Sequence, residues 1–131
     1  MENKKDNTIG WFEVYVEDMQ RAKNFYESVF RVELKRLPNP ASLEHEIEML
    51  AFSGNMKSYG ANGALVKMPG HSSGKNSVLI YFACEDCAIE ESRVKEFGGK
   101  IEKSKFSIGE YGFISLAYDS EGNMIGLHSF K

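Results

Sequence analysis

Long apolar runs, distant cysteine pairs and a surplus of basic residues are all missing from this sequence, and each absence closes off a class of function. No uninterrupted apolar stretch approaches the roughly 18 residues that a membrane-spanning helix needs, and the opening "MENKKDNTIG" lacks the apolar core of a signal peptide. The two cysteines, Cys84 and Cys87, lie three positions apart and cannot staple distant loops, which points to a reducing cytoplasm. Lys and Arg total 16 against 19 Asp and Glu, a net charge of −3 with no basic stripe, so nucleic acid is excluded as a partner. There is no glycine-rich phosphate loop, zinc-ligand pair or EF-hand pattern. What remains is a soluble chain of 131 residues, 42% hydrophobic and 27% charged, large enough to bury one core without disulfides or a structural metal.

Within that chain one pattern occurs twice. "GWFEVYV" (10–16) alternates as a strand does: Phe12, Val14 and Val16 make one apolar face, while Trp11, Glu13 and Tyr15 make an amphipathic one. Asp18 follows as a helix N-cap, and Met19, Ala22, Phe25, Tyr26, Val29 and Phe30 recur at helical steps. "VELKRL", "EIEMLAF" and "GALVKM" read as three more strands. After the polar linker "MPGHSSGKNS" comes the strand "VLIYFAC", then a helix ending at the Gly98-Gly99 pair, then the strands "KIEK", "GFISLAY" and "NMIGLHSF". Shifting the sequence by 68 lays "VED" (16–18) on "CED" (84–86). The prediction is an α+β domain of tandem βαβββ modules, the first about 8–68, a linker at 69–76 and the second about 77–131.

The stretches "GWFEVYVEDMQRAKNFYESVF", "NGALVK", "FGGKI" and "DSEGNMIGLHSF" resemble the vicinal oxygen chelate superfamily, which includes glyoxalase I, extradiol dioxygenases, and fosfomycin- and bleomycin-resistance proteins. The first and last most resemble a bacterial glyoxalase-related branch; Arg31 departs from it, standing where relatives often end the first helix with glycine. The resemblance implies two modules curled into a cup-like mixed sheet with helices outside, a homodimer, and a small-molecule ligand or substrate. It also implies metal ligands on the first and last strands of each module. Those positions fall on Trp11, Leu65, Leu79 and Gly126, none of which offers a lone pair to a divalent ion, so no metal cofactor is expected at the usual position; the lesser alternative is a divalent ion at a non-standard site with Glu13 and His128 among its ligands.

Two residues further along each strand, and so on the same face, stand Glu13, Lys67, Tyr81 and His128. Their apolar neighbours Phe12/Val14, Ala64/Val66, Ile80/Phe82 and Ile125/Leu127 are expected beneath the helices. Four unpaired polar groups do not belong in a dry core, so this quartet is expected to line the cup. Two readings stand side by side. In an enzyme acting on a small oxygenated or thiol-conjugated substrate, with lyase or isomerase chemistry, Glu13 is the base, His128 the acid and Tyr81 a donor to a developing oxyanion. In a metal-free protein of the bleomycin-resistance type, the same cup sequesters a ligand. In both, Trp11, Tyr15, Lys67 and Gly126 contact the bound molecule, with a ligand oxygen in the room left by Gly126; the structural alternative is a hydrogen-bond network among Glu13, Lys67 and His128.

Three further motifs have simpler structural readings. "GHSSG" (70–74) matches a nucleophile elbow only as letters, in a linker rather than a strand-to-helix turn. "CEDC" (84–87) has redox spacing, but its two acids oppose thiolate formation. His45 with Glu46 and Glu48 could form a carboxylate–imidazole cluster, although "EHEIE" reads more simply as a solvated strand edge; His71 lies in the linker.

Overall fold

The computed structural model describes residues 8–38, 47–55 and 57–131. Strand β1 (Trp11–Tyr15) leads into helix α1 (Met19–Phe30), followed by β2 (Leu34–Leu37), β3 (Glu48–Phe52) and β4 (Asn62–Lys67). The second half repeats the order with β5 (Ile80–Ala83), α2 (Cys87–Val94), β6 (Lys100–Ser107), β7 (Phe113–Tyr118) and β8 (Met124–Ser129). Each half forms a four-stranded mixed sheet, ordered β1-β4-β3-β2 and β5-β8-β7-β6, in which only the first and last strands of the module pair in parallel. This is the predicted α+β arrangement of two βαβββ modules.

Local chemistry fixes the helix ends. The Asp18 carboxylate accepts from Arg21 N at 3.0 Å and caps α1, and Asp86 does the same for α2 through Ala88 N at 3.0 Å. Arg31 closes α1 in the left-handed conformation at φ 56°, a place where glycine costs less. Helix α2 is shorter than predicted: its regular turns end at Val94, and looser turns carry the chain to Gly98 at φ 105°.

The core lies between the helices and one face of the sheets. Val14, Leu50, Leu65 and Ile125 from the strands meet Ala22, Phe25, Tyr26 and Val29 of α1. Phe12, Phe30, Phe52 and Phe82 form an aromatic cluster around Tyr26, with Phe30 and Phe82 stacked at 4.5 Å. The outer edges are protected by charge: β2 carries Lys35 and Arg36, and β6 carries Lys100, Lys103 and Lys105.

One strand register departs from expectation. Parallel pairing puts Glu13 opposite Ala64 and Val14 opposite Leu65. Leu65 therefore belongs to the core, and Lys67 points to the helix side with it, while Asn62, Ala64 and Val66 share the face of Trp11, Glu13 and Tyr15. The residues Gly63 to Val66 are all buried, so apolarity alone does not distinguish the two faces, and a one-residue slip exchanges them.

The modules are joined by a polar clasp. The turn between β7 and β8 carries Glu121, whose side chain is fully buried. Its carboxylate accepts from the backbone amides of Glu17 and Asp18, both at 2.9 Å, just ahead of α1. Arg21 adds two hydrogen bonds, from Nε at 2.6 Å and Nη2 at 3.0 Å, and Ser120 Oγ adds one at 3.1 Å. Asp119 accepts from the buried Tyr26 hydroxyl at 2.5 Å, and Asn123 Nδ2 reaches the Tyr15 carbonyl at 3.0 Å. Burial opposes the charge on Glu121, but the bonds from Arg21, Asp18, Glu17 and Ser120 outweigh it and hold its pKa at about 2. A depressed carboxylate pKa contributes stability above the unfolded value near 4.3 and loses it as pH falls toward the folded value. Glu121→Gln should therefore lower the thermal midpoint at pH 7 and flatten its decline between about pH 4.5 and 2. Melting curves of both proteins across that range test this; parallel declines would remove Glu121 from the account.

Candidate functional site

Tracing the expected site residues from their strands divides them among three places. On β1 the Glu13 carboxylate accepts from the Trp11 indole at 3.1 Å and from the Tyr15 hydroxyl at 2.8 Å. Trp11, Glu13 and Tyr15 thus form one hydrogen-bonded set, the direct result of spacing by two on an extended chain. Burial, reinforced by the neighbouring carboxylate, pushes the Tyr15 phenol pKa up. The linker's His71 stacks on Tyr15, with ring centroids 5.0 Å apart.

Lys67 stands elsewhere. It sits opposite Glu48 on β3 and borders a recess of about 740 Å³ shared with Glu17, Arg36, Glu48 and His71. The expected contact between Glu13 and Lys67 is not made, because the register of β4 sends Lys67 to the other face.

Tyr81 and His128 form the third group. Gly126 is paired with Tyr81 across the parallel β5–β8 ladder, and a Cβ at Gly126 would overlap three ring carbons of Tyr81. The room expected for a ligand oxygen is therefore taken by the phenol ring. His128 Nε2 lies 2.7 Å from the Tyr111 carbonyl, which can only accept, so this nitrogen carries the proton and Nδ1 is left as the ring's acceptor in its neutral form. Phe130 packs edge-on against the imidazole at 4.8 Å. The Tyr81 hydroxyl has no hydrogen-bond partner among the described residues.

These groups flank the seam where β1 meets β5. The start of β1 (Thr8, Ile9) and the end of β5 (Ala83, Cys84) border one cavity of about 650 Å³. Its floor is Phe12, Phe52 and Phe82, and its polar wall includes Asn62, Tyr81 and His128. At the other end of the seam, Glu13, Tyr15, Val78 and Met124 border a smaller cavity of about 250 Å³. Glu13 and His128 thus line different cavities.

The donor set at the position implied for a divalent ion is apolar. The register correction replaces Leu65 by Ala64 on the open face, beside Trp11, with Leu79 and Gly126 in the second module. A methyl, an isobutyl, an indole and a hydrogen do not fit a metal. Among the described residues no group of three or more His, Cys, Asp or Glu is placed to hold one.

The remaining motifs resolve structurally. Burial, with Glu90 beside it, pushes the Cys84 thiol up to about 12, and Cys87 is buried. Cys84 therefore does not supply the thiolate that redox chemistry requires. Within "GHSSG", Ser73 Oγ donates to the Glu121 carbonyl and its amide donates to Glu17, tying the loop down. His45 and Glu46 lie outside the described residues; Glu48 pairs with Arg36 at 3.8 Å. Sequence reasoning missed Ile9, Tyr59 and Phe130, large exposed side chains around the 650 Å³ cavity; a tyrosine in "KSYGANG" and the phenylalanine of "LHSFK" were the available signals.

With the geometry established, comparison with known proteins is direct. The family profile for the Glyoxalase/Bleomycin resistance protein/Dioxygenase superfamily matches residues 8–127. The chain belongs to this superfamily. No curated protein sequence matches it. Among solved structures, an antibiotic-binding protein from Streptomyces sp. CB03234 is similar at 23% identity, covering 98% of this chain and 100% of that one, with a TM-score of 0.66. Glyoxalase I from Zea mays is similar at 20% identity with a TM-score of 0.71; the match covers 91% of this chain and 43% of the maize enzyme. A hypothetical protein from S. aureus is 16% identical, covering 96% and 99% of the two chains, with a TM-score of 0.63. At these identities the likeness is one of fold.

The seat of Tyr81 on Gly126 yields a direct test. Gly126→Ala should destabilise the protein by roughly 1–3 kcal/mol through overpacking. Adding Tyr81→Ala should recover part of that loss, because the two changes act on one contact. Denaturant midpoints of the two single variants and the double variant measure the coupling, and simple additivity would show that the ring is not seated there.

Proposed function

We propose that this chain is a small-molecule-binding member of the glyoxalase and bleomycin-resistance superfamily, and that the 650 Å³ cavity is its ligand site. The observation that carries the reading is the cavity's composition. It has an aromatic floor and a limited set of polar groups, among them the unpartnered Tyr81 hydroxyl, the His128 imidazole and Asn62, with Thr8, Ser53, Tyr59 and Cys84 also at its border. Ligand sites of about 300–1,000 Å³ combine apolar walls with a few fixed polar groups in this way. The fitting ligand is a ring-bearing, largely apolar molecule with an acceptor oxygen for Tyr81. Sequestration without metal is favoured over lyase or isomerase chemistry, because Glu13 lies at the other end of the seam from His128. The antibiotic-binding Streptomyces protein of the same fold agrees with this reading.

The reading extends to assembly and location. Ile9, Tyr59, Val78, Tyr111 and Phe130 are each more than 60% exposed, an apolar cost that pairing of two copies would remove. The expected state is a homodimer, and light scattering at micromolar concentration should give twice the chain mass; a single chain's mass would overturn it. Two free thiols fit a reducing cytoplasm. No described helix is long and apolar enough to cross a membrane.

A thermal-shift screen of ring-bearing compounds, followed by calorimetry on the best binder, tests the site. Tyr81→Phe and His128→Ala should each weaken that binder by roughly 1–3 kcal/mol, the cost of a lost buried hydrogen bond. Ala83→Trp, which fills the cavity, should abolish binding. Wild-type affinity in all three variants would place the ligand elsewhere.

A further inference from the structure

The smaller cavity has a chemistry of its own. Both oxygens of Glu13 are engaged, but only by neutral donors, the Trp11 indole and the Tyr15 hydroxyl. Glu13 belongs to none of the ion pairs among the described residues, and Lys67, the cation nearest to it in the β4 sequence, faces the other side of the sheet. A carboxylate has about four lone-pair sites, so two accepted bonds leave acceptor capacity unused. Of the side chains bordering this cavity Glu13 alone is charged, and Val14, Val78, Ile80 and Met124 supply apolar walls.

We propose that this end of the seam is a subsite for a small organic cation, an ammonium or amidinium group on an apolar body, with Glu13 as its counter-charge. The hydrogen bonds from Trp11 and Tyr15 hold the carboxylate in place, so a ligand does not bear the cost of ordering it. Tyr15, which borders the cavity, also brings an aromatic ring beside the charge, and aromatic faces attract ammonium groups. Tyr15 stays a neutral donor, since burial and Glu13 both oppose its ionisation. The two side-chain amides of the cavity are already committed, which leaves Ser72 as the remaining polar side chain beside Glu13 and Tyr15. Asn123 bonds Gly74 N and the Tyr15 carbonyl, while Asn76 bonds the Val78 carbonyl and the backbone of Met124. A volume of about 250 Å³ corresponds to about eight waters at ~30 Å³ each, enough for a substituted ring.

The proposal stands apart from the 650 Å³ site and is tested with different probes. Benzylammonium and the neutral benzyl alcohol are titrated into wild type and Glu13→Gln, with binding read from chemical-shift changes at Val78 and Met124. Wild type is expected to prefer the cation by about tenfold. Glu13→Gln keeps an acceptor oxygen but not the charge, and the preference should fall to near unity. Met124→Trp, which fills the cavity, should remove binding of both probes, whereas Tyr81→Phe should leave the cation preference intact. Equal wild-type affinity for the two probes, a preference that survives in Glu13→Gln, or shifts confined to residues around Tyr81 would each overturn the assignment.

Discussion

The seam between the modules depends on one buried carboxylate. Glu121 leaves the β7–β8 turn of the second module and satisfies two backbone amides at the entry to the helix of the first. Those amides precede a helix N-terminus, where negative charge is stabilised by the unpaired N–H groups and the helix dipole. Removing one partner of such a buried arrangement leaves the others uncompensated, which is why a single side chain can govern the docking of two sheets. Asp119 and Asn123 extend the same turn to Tyr26 and to the Tyr15 carbonyl, so helix α1 and strand β1 are fixed by one short segment.

Both cavities follow from that docking. Because the start of β1 lies beside the end of β5, the two ends of the seam are related by the internal repeat, yet their occupants differ. At one end the linker is tied down by Ser73, Gly74 and Asn76, and the cavity is small. At the other end the β3–β4 loop and the start of β1 border a larger, aromatic space. The repeat supplies two similar places; the residues at equivalent positions, Glu13 in one module and Tyr81 in the other, put a carboxylate at one and a phenol at the other.

Much of the fold was legible because its signals were redundant. Asp18 and Asp86 mark two helix starts, the periodicity of α1 is unbroken, and the alternation of "WFEVY" sorts its two faces correctly. The face of β4 was not legible, since glycine, alanine, leucine and valine in succession give no polar side. That ambiguity exchanged Leu65 with Ala64 and moved Lys67 across the sheet. The candidate site was read less well for a related reason. Strand spacing places Trp11, Glu13 and Tyr15 together, but it carries no information on which of them shares a cavity with a residue of the other module. That depends on the packing of β1 against β5, which no local pattern encodes.

Gly126 shows how a missing side chain can mislead and then explain. Read from the sequence, it is a vacancy where a metal-binding carboxylate is implied. In the structure it is the seat of the Tyr81 ring, and the two identities are sterically coupled. A carboxylate at 126 would have to expel the phenol from the face of β8, and a phenol at 81 requires that nothing larger than hydrogen stand opposite. The glycine at 126 and the aromatic wall at 81 are then one feature of the pocket's shape rather than two. If this cavity holds a ligand as proposed, the ring of Tyr81 shapes it as much as its hydroxyl does, because the ring lies where a side chain at 126 would otherwise stand.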